Sequence, residues 1–121
     1  MFVWEGVSFY IPESAVDGTL RFVATQSAPQ SSIVFDYFLR SALDSPGVVA
    51  LNKRLSAMGE PIIFGLPDQE RCQYVSSRGL DVATDIGVNE LRQRYLPASL
   101  VDARQPSLNY LCTAVVPAKR R

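Results

Sequence analysis

Phe2-Val3-Trp4-Glu5-Gly6-Val7, then Ile11-Pro12-Glu13-Ser14, then Ser32-Ile33-Val34-Phe35-Asp36: these three runs decide how the chain is read. The first is apolar with one acid in it, and the spacing predicts a buried strand over Phe2 to Val7. Pro12 suits a first helical turn, where its missing N–H costs nothing, and Glu13 favours the positive end of a helix. Val16, Leu20, Val23, Ala24 and Ser27 then fall three or four residues apart and make one apolar or small face, with Asp17, Arg21 and Gln26 on the other side. The third run predicts a second buried strand, again closed by an acid. A strand–helix–strand unit of this length predicts a parallel βαβ crossover, right-handed like nearly all of its kind. In open α/β sheets ligands sit beyond the carboxyl ends of the strands, and Glu5 and Asp36 fall there.

Outward from that unit, Tyr37 to Leu43 reads as a turn or two of helix, broken by Asp44-Ser45-Pro46-Gly47. A second helix carries Val48, Leu51, Leu55 and Met58 on one stripe and stops at Gly59. Pro61 makes Ile62-Ile63-Phe64 an edge strand or an extended loop. Asp68 reads as the N-cap of a helix running to Arg78, stopped by Gly79, with a thin face of Cys72, Val75 and Tyr74. Leu80 to Ile86 alternates as a strand with one wet face. Asn89 to Tyr95 predicts a short helix, Ser99 to Ser107 an irregular stretch, and Asn109 to Val116 a last strand ended by Pro117. The expected class is therefore α/β, with about four strands, flanking helices and a last strand antiparallel to its neighbour.

The totals restrict the function. The chain has 121 residues, 47% hydrophobic and 20% charged, with a formal net charge of zero. It is expected to be a single domain, 1–121, with no global field to attract nucleic acid or an anionic membrane. The terminal Lys119-Arg120-Arg121 reads as a solubilising tail. The absence of histidine removes the usual general base and commonest metal ligand, which excludes Ser-His-Asp and Cys-His hydrolases. Two cysteines cannot supply the ligands of a zinc site, so no metal is expected. Cys72 and Cys112 are expected to be reduced, buried packing residues of a cytoplasmic protein. No apolar run is long enough to cross a bilayer.

Trp4-Glu5-Gly6-Val7, followed by Tyr10 and an acidic helix start, resembles a signature of the leucine carboxyl methyltransferase-like group. That group includes many S-adenosylmethionine-dependent O-methyltransferases. The helix Ala15-Val16-Asp17 with Leu20, the run Ile33-Val34-Phe35-Asp36-Tyr37, Gly59-Glu60-Pro61, Phe64-Gly65, Gly79, and Glu90-Leu91 with Arg94-Tyr95 continue the resemblance in order. It implies the C-terminal half of a Rossmann-like class I methyltransferase, beginning at what would be its fourth strand. The family's glycine-rich turn for the cofactor, its ribose-binding acid and its later acidic motif at the adenine have no counterpart here. The resemblance implies that Glu5 meets the amino-acid end of S-adenosylmethionine and that Tyr10, Arg94 and Tyr95 lie at the substrate side. Methyl transfer asks mainly for positioning, so the missing histidine does not oppose it. Such a half is expected to be inactive alone, or to act through association with a complementary N-terminal half or in a homodimer. The alternative is a non-catalytic α/β interaction module that dimerises. The first strand, without an inner neighbour, would leave backbone groups unpaired on a flat edge, which invites another chain.

Overall fold

The computed structural model describes residues 1–119. Its four strands are β1 (Phe2–Trp4), β2 (Ser32–Phe38), β3 (Asp81–Gly87) and β4 (Asn109–Val115). They form one mixed sheet in the order β1-β2-β4-β3. β1 runs parallel to β2, with Val3 opposite Val34, and β4 is antiparallel to both β2 and β3. The helices are α1 (Glu13–Gln26), α2 (Pro46–Ala57), α3 (Arg71–Ser76) and α4 (Val88–Tyr95). The α/β class, the parallel first crossover and the antiparallel last strand are as the sequence predicts.

α1 forms for the reasons its residues suggest. The Pro12 carbonyl accepts the first bond of the helix from the Val16 N–H at 3.2 Å and also bonds the Ala15 N–H at 2.9 Å, which satisfies one of the donors a helix start leaves open. Val16, Leu20, Val23 and Ala24 are buried along one side. They share one cluster with Ile33, Phe35 and Tyr37 of β2, Cys112 and Ala114 of β4, and Tyr74 and Val75 of α3. The period-two burial of β2 puts those three residues toward the helices, while Val34, Asp36 and Phe38 face the other way. That opposite face is less covered, and β1 is the edge strand beside it, with Val3 66% exposed.

Several expectations are corrected. β1 is an exposed edge strand and not the buried one expected, and it ends at Trp4, because the chain turns at Gly6, whose φ is +69°. Only glycine adopts that conformation without steric cost. The segment expected to be helical from Tyr37 instead continues β2 through Phe38, since Tyr37 and Phe38 have β4 partners at Tyr110 and Asn109. Helical turn appears only at Arg40–Asp44 and is 3-10. Asp68 does not cap α3: its carboxylate accepts from the Ser41 N–H and hydroxyl, and the helix starts at Arg71. Of the stripe expected on α2 only Val48 is buried, and Met58 is 66% exposed, because α2 lies at the periphery against the 3-10 turn before it. Cys72 is exposed on α3, although Cys112 is buried as expected.

Ile62-Ile63-Phe64 is the extended loop of the two readings. Its Ile63 N–H donates to the Phe9 carbonyl at 2.8 Å, and the Asn52 side chain brackets the Ile62 backbone from α2. Gly65 then passes so close to Arg40 that a Cβ there would lie 2.9 Å from the Arg40 backbone. This allows Leu66 to bond the main chain on both sides, donating to Phe38 and accepting from Arg40. Of the basic tail, Arg120 and Arg121 lie outside the described residues.

Candidate functional site

The carboxyl ends of β1 and β2 meet the amino end of β4 and the start of α4. A cavity of about 400 Å³ lies there, with Val3, Val34, Leu111 and Leu91 as apolar walls and Glu5 and Asp36 as its acids. Glu5 is placed by the turn after β1, and that turn is fastened by Asp36. The Gly6 N–H donates to the Asp36 carboxylate at 2.8 Å, and the fully buried Ser8 hydroxyl donates to the Asp36 carbonyl at 2.7 Å. Asp36 therefore positions; Glu5 has no hydrogen bond or ion pair among the described residues. An exposed carboxylate on the rim of an apolar hollow can receive a cationic group there.

Tyr10 closes the 3-10 turn that follows, half-buried, with its ring 4.6 Å from that of Phe9. Arg94 and Tyr95 do not line the Glu5 cavity. Arg94 donates to Glu90 at 2.7 Å one helical turn away, in an exposed pair, and Tyr95 is 80% exposed. The structure thus brings Glu5 and Asp36 together, and sets the Arg94–Tyr95 pair on the outer side of α4. Sequence reasoning did not assign to the cavity the residues that α4 and β4 contribute, Val88, Leu91, Asn109 and Leu111, of which Leu91 was quoted only within the resemblance. The i, i+3 spacing of Val88 and Leu91 was the available signal.

On the other face of the sheet, at the same strand ends, a buried polar cluster ties β2, β3, β4 and α3 together. Tyr37 donates to one Asp85 oxygen at 2.5 Å and Arg71 Nε to the other at 2.6 Å. The Arg71 guanidinium also lies 4.5 Å from the centre of the Tyr110 ring, which stacks on Tyr37. Burial, the bond to Asp85 and its charge push the Tyr37 hydroxyl far above its ordinary range. Burial pushes the Cys112 thiol up to about 12, so it stays neutral. This cluster has its hydrogen bonds satisfied internally and holds the strand ends rather than a ligand. A smaller cavity of about 230 Å³ at the opposite end of the sheet is lined by Arg78, whose guanidinium is bound to Asp17 at 2.8 Å and lies over the Tyr74 ring. Among the described residues no group of three histidine, cysteine or carboxylate side chains could hold a metal ion, and no helix is long and apolar enough to cross a membrane.

A mixed four-stranded sheet with flanking helices and a cavity at the strand ends defines an α/β protein compatible with part of a Rossmann-like fold. A solved structure, that of a DUF574 family protein from Streptomyces avermitilis, shares the fold at a TM-score of 0.67 and 12% sequence identity. The alignment covers 95% of this chain and 43% of that one, so the chain spans less than half the length of the protein it matches. No protein-family model matches the sequence, and no curated protein matches it.

Proposed function

We propose that this chain carries one part of an S-adenosylmethionine site and takes part in O-methyl transfer only when another polypeptide extends its sheet at β1. The observation that carries the reading is Glu5: an acid without a partner, in an apolar cavity, at the carboxyl end of the strand whose other edge is unpaired among the described residues. The fold match points the same way, toward a methyltransferase-like architecture of which this chain represents a minor share. S-adenosylmethionine, when bound, supplies the transferable methyl group. Glu5 fits its ammonium end, Asp36 holds the turn that presents Glu5, and Val3, Val34 and Leu111 exclude water from one side. The residues present fit only that end of the cofactor, since no glycine-rich turn is available for the rest. The second polypeptide is another copy of this chain or a complementary N-terminal half. Val3 and Phe2 offer it an apolar, uncharged edge strand. Tyr10, Arg94 and Tyr95 belong to the substrate side in this reading, with Arg94 and Tyr95 reaching it only in the assembled state.

The test joins assembly to binding. Sedimentation at micromolar concentration should show a homodimer, and S-adenosylhomocysteine should raise the Tm of the assembled form. Ligand at a hundred times its dissociation constant stabilises by about 2.7 kcal/mol, which is several degrees for a chain of this size. Glu5→Gln should remove that shift without changing the sedimentation coefficient. A dimer that never responds to the ligand supports the alternative, a non-catalytic interaction module. A monomer that binds the ligand unaided, with Glu5→Gln unaffected, overturns the proposal.

A further inference from the structure

Val88 and Asn109 line the Glu5 cavity and also a second cavity of about 250 Å³, on the other side of the start of α4. Phe38, Asn89, Arg92 and Gln105 are among its other walls. We propose that this second cavity is an oxyanion subsite, in which Arg92 holds a carboxylate or phosphate group of a ligand whose uncharged body runs past Val88 and Asn109 into the Glu5 cavity.

Placement and charge carry this. Arg92 stands one helical turn after Val88 and three residues after Asn89, so all three share a side of α4. The segment 88–108 holds three arginines, Arg92, Arg94 and Arg104, and two acids, Glu90 and Asp102. Both acids are already engaged: Glu90 with Arg94 at 2.7 Å, and Asp102 with Arg104 at 3.5 Å. Arg92 is the one left over, and its guanidinium has no hydrogen bond or ion pair among the described residues. The wall behind it is held without any ligand. The Asn89 side chain donates to the Asp102 and Gln105 carbonyls at 3.0 and 2.5 Å, and the Asn89 N–H donates to the Ser107 hydroxyl at 2.9 Å. The Asn109 side-chain amide, at the junction of the two cavities, is uncommitted among the described residues. Phe38, fixed edge-on against Phe9 at 5.0 Å, supplies an apolar floor. A planar guanidinium pairs two-pronged with carboxylate or phosphate oxygens. The two adjacent cavities, which share Val88 and Asn109, therefore present acids at one end and an uncompensated cation at the other. Within the methyltransferase reading, on which this point alone rests, the anion is the recognition handle that positions the acceptor relative to Glu5.

The experiment is an amide NMR titration of the full chain with phenyl phosphate, with benzoate, and with benzamide as the uncharged counterpart. The wild type, Arg92→Gln, Arg92→Lys and Arg54→Gln are compared. Either anion should produce saturable shifts at Val88, Arg92 and Asn109, with a dissociation constant on the order of millimolar. Arg92→Gln should weaken binding about tenfold, the loss of one charge-assisted contact, and Arg92→Lys should retain part of it. Arg54→Gln, at an exposed arginine of α2 that lines neither cavity, should leave it unchanged, which separates a site from general surface charge. A response to one anion alone supports the subsite and identifies the handle as that group. Shifts that do not saturate, equal losses in the Arg92 and Arg54 variants, or equal shifts with benzamide overturn it. Failure of the methyltransferase reading registers separately, as a missing response to S-adenosylhomocysteine with this anion binding intact.

Discussion

Replacing Asp85 by alanine should cost the fold a large share of its stability. The carboxylate is 9% exposed and serves three partners, the Tyr37 hydroxyl at 2.5 Å, Arg71 Nε at 2.6 Å and, more weakly, the Cys72 thiol at 4.0 Å. Without it, Arg71, itself 28% exposed, keeps only the Asp68 carbonyl and the face of Tyr110. Removing one partner of a buried ion pair costs about 3–5 kcal/mol, and the partial exposure of Arg71 puts this case at the lower end. The buried Tyr37 hydroxyl loses its acceptor as well, for roughly another 1 kcal/mol. The sum, about 4 kcal/mol, compares with a total of roughly 6–18 kcal/mol for a chain of this length. The assay is urea unfolding followed by the fluorescence of Trp4, the single tryptophan, whose ring packs 6.0 Å from Phe35. With a slope of about 2 kcal/mol/M, the midpoint should fall by roughly 2 M. Asp85→Ala combined with Arg71→Met should recover much of the loss, because no unpaired charge then remains buried. A single-variant loss below about 1 kcal/mol, or a double variant worse than the sum of the singles, would refute the assignment of Asp85 as the tie between α3 and the strand ends.

Three further outcomes follow from the same structure. Asp17 is held below the ordinary carboxylate range by its bonds to Arg21 and Arg78, and Asp68 by the Ser41 hydroxyl and N–H. Both folded values are depressed, so their contribution is fully present above about pH 4 and lost as the pH falls further, and Asp68→Asn should flatten the acid limb of a stability profile. Cys72 should react with a maleimide in the folded protein, while Cys112 should react only on unfolding; because the Cys112 value is raised to about 12, its contribution to stability declines from about pH 9 upward. Gly6→Ala should destabilise by about 1–2 kcal/mol, since φ is +69° there and nothing else crowds the position, and a neutral result by chemical denaturation would show that the turn relaxes.

What the residues could announce locally, they did. The apolar stripe of α1, the apolar runs either side of it and the β-branched run at Asn109 to Val116 specify a parallel crossover closed by an antiparallel strand, although only the second of those runs is buried. Each of those signals rests on a period that burial on one face imposes. Glu5 and Asp36 were legible as acids at strand ends for the same reason. What depended on partners distant in sequence was not legible. Asp68 carries the sequence of an N-cap, yet its oxygens are taken by Ser41, 27 residues away, and α3 begins later. Tyr37 and Phe38 continue a strand because β4 lies alongside them, which outweighs the helical tendency of the segment that follows. The stripe of α2 has a helical period but no surface to cover it.

By itself, then, the sequence determined the class of the fold, the crossover and the acids at its open end, because short-range periodicity and turn chemistry carry that information. Only the tertiary structure decided which arginine faces a cavity. Arg92 and Arg94 are two residues apart with the same chemistry, and the helix turns them by about 200° relative to one another, one toward the cavity and one toward Glu90. That choice is made by how α4 seats on β3 and β4, and β4 comes later in the chain, beyond the irregular stretch that follows the helix.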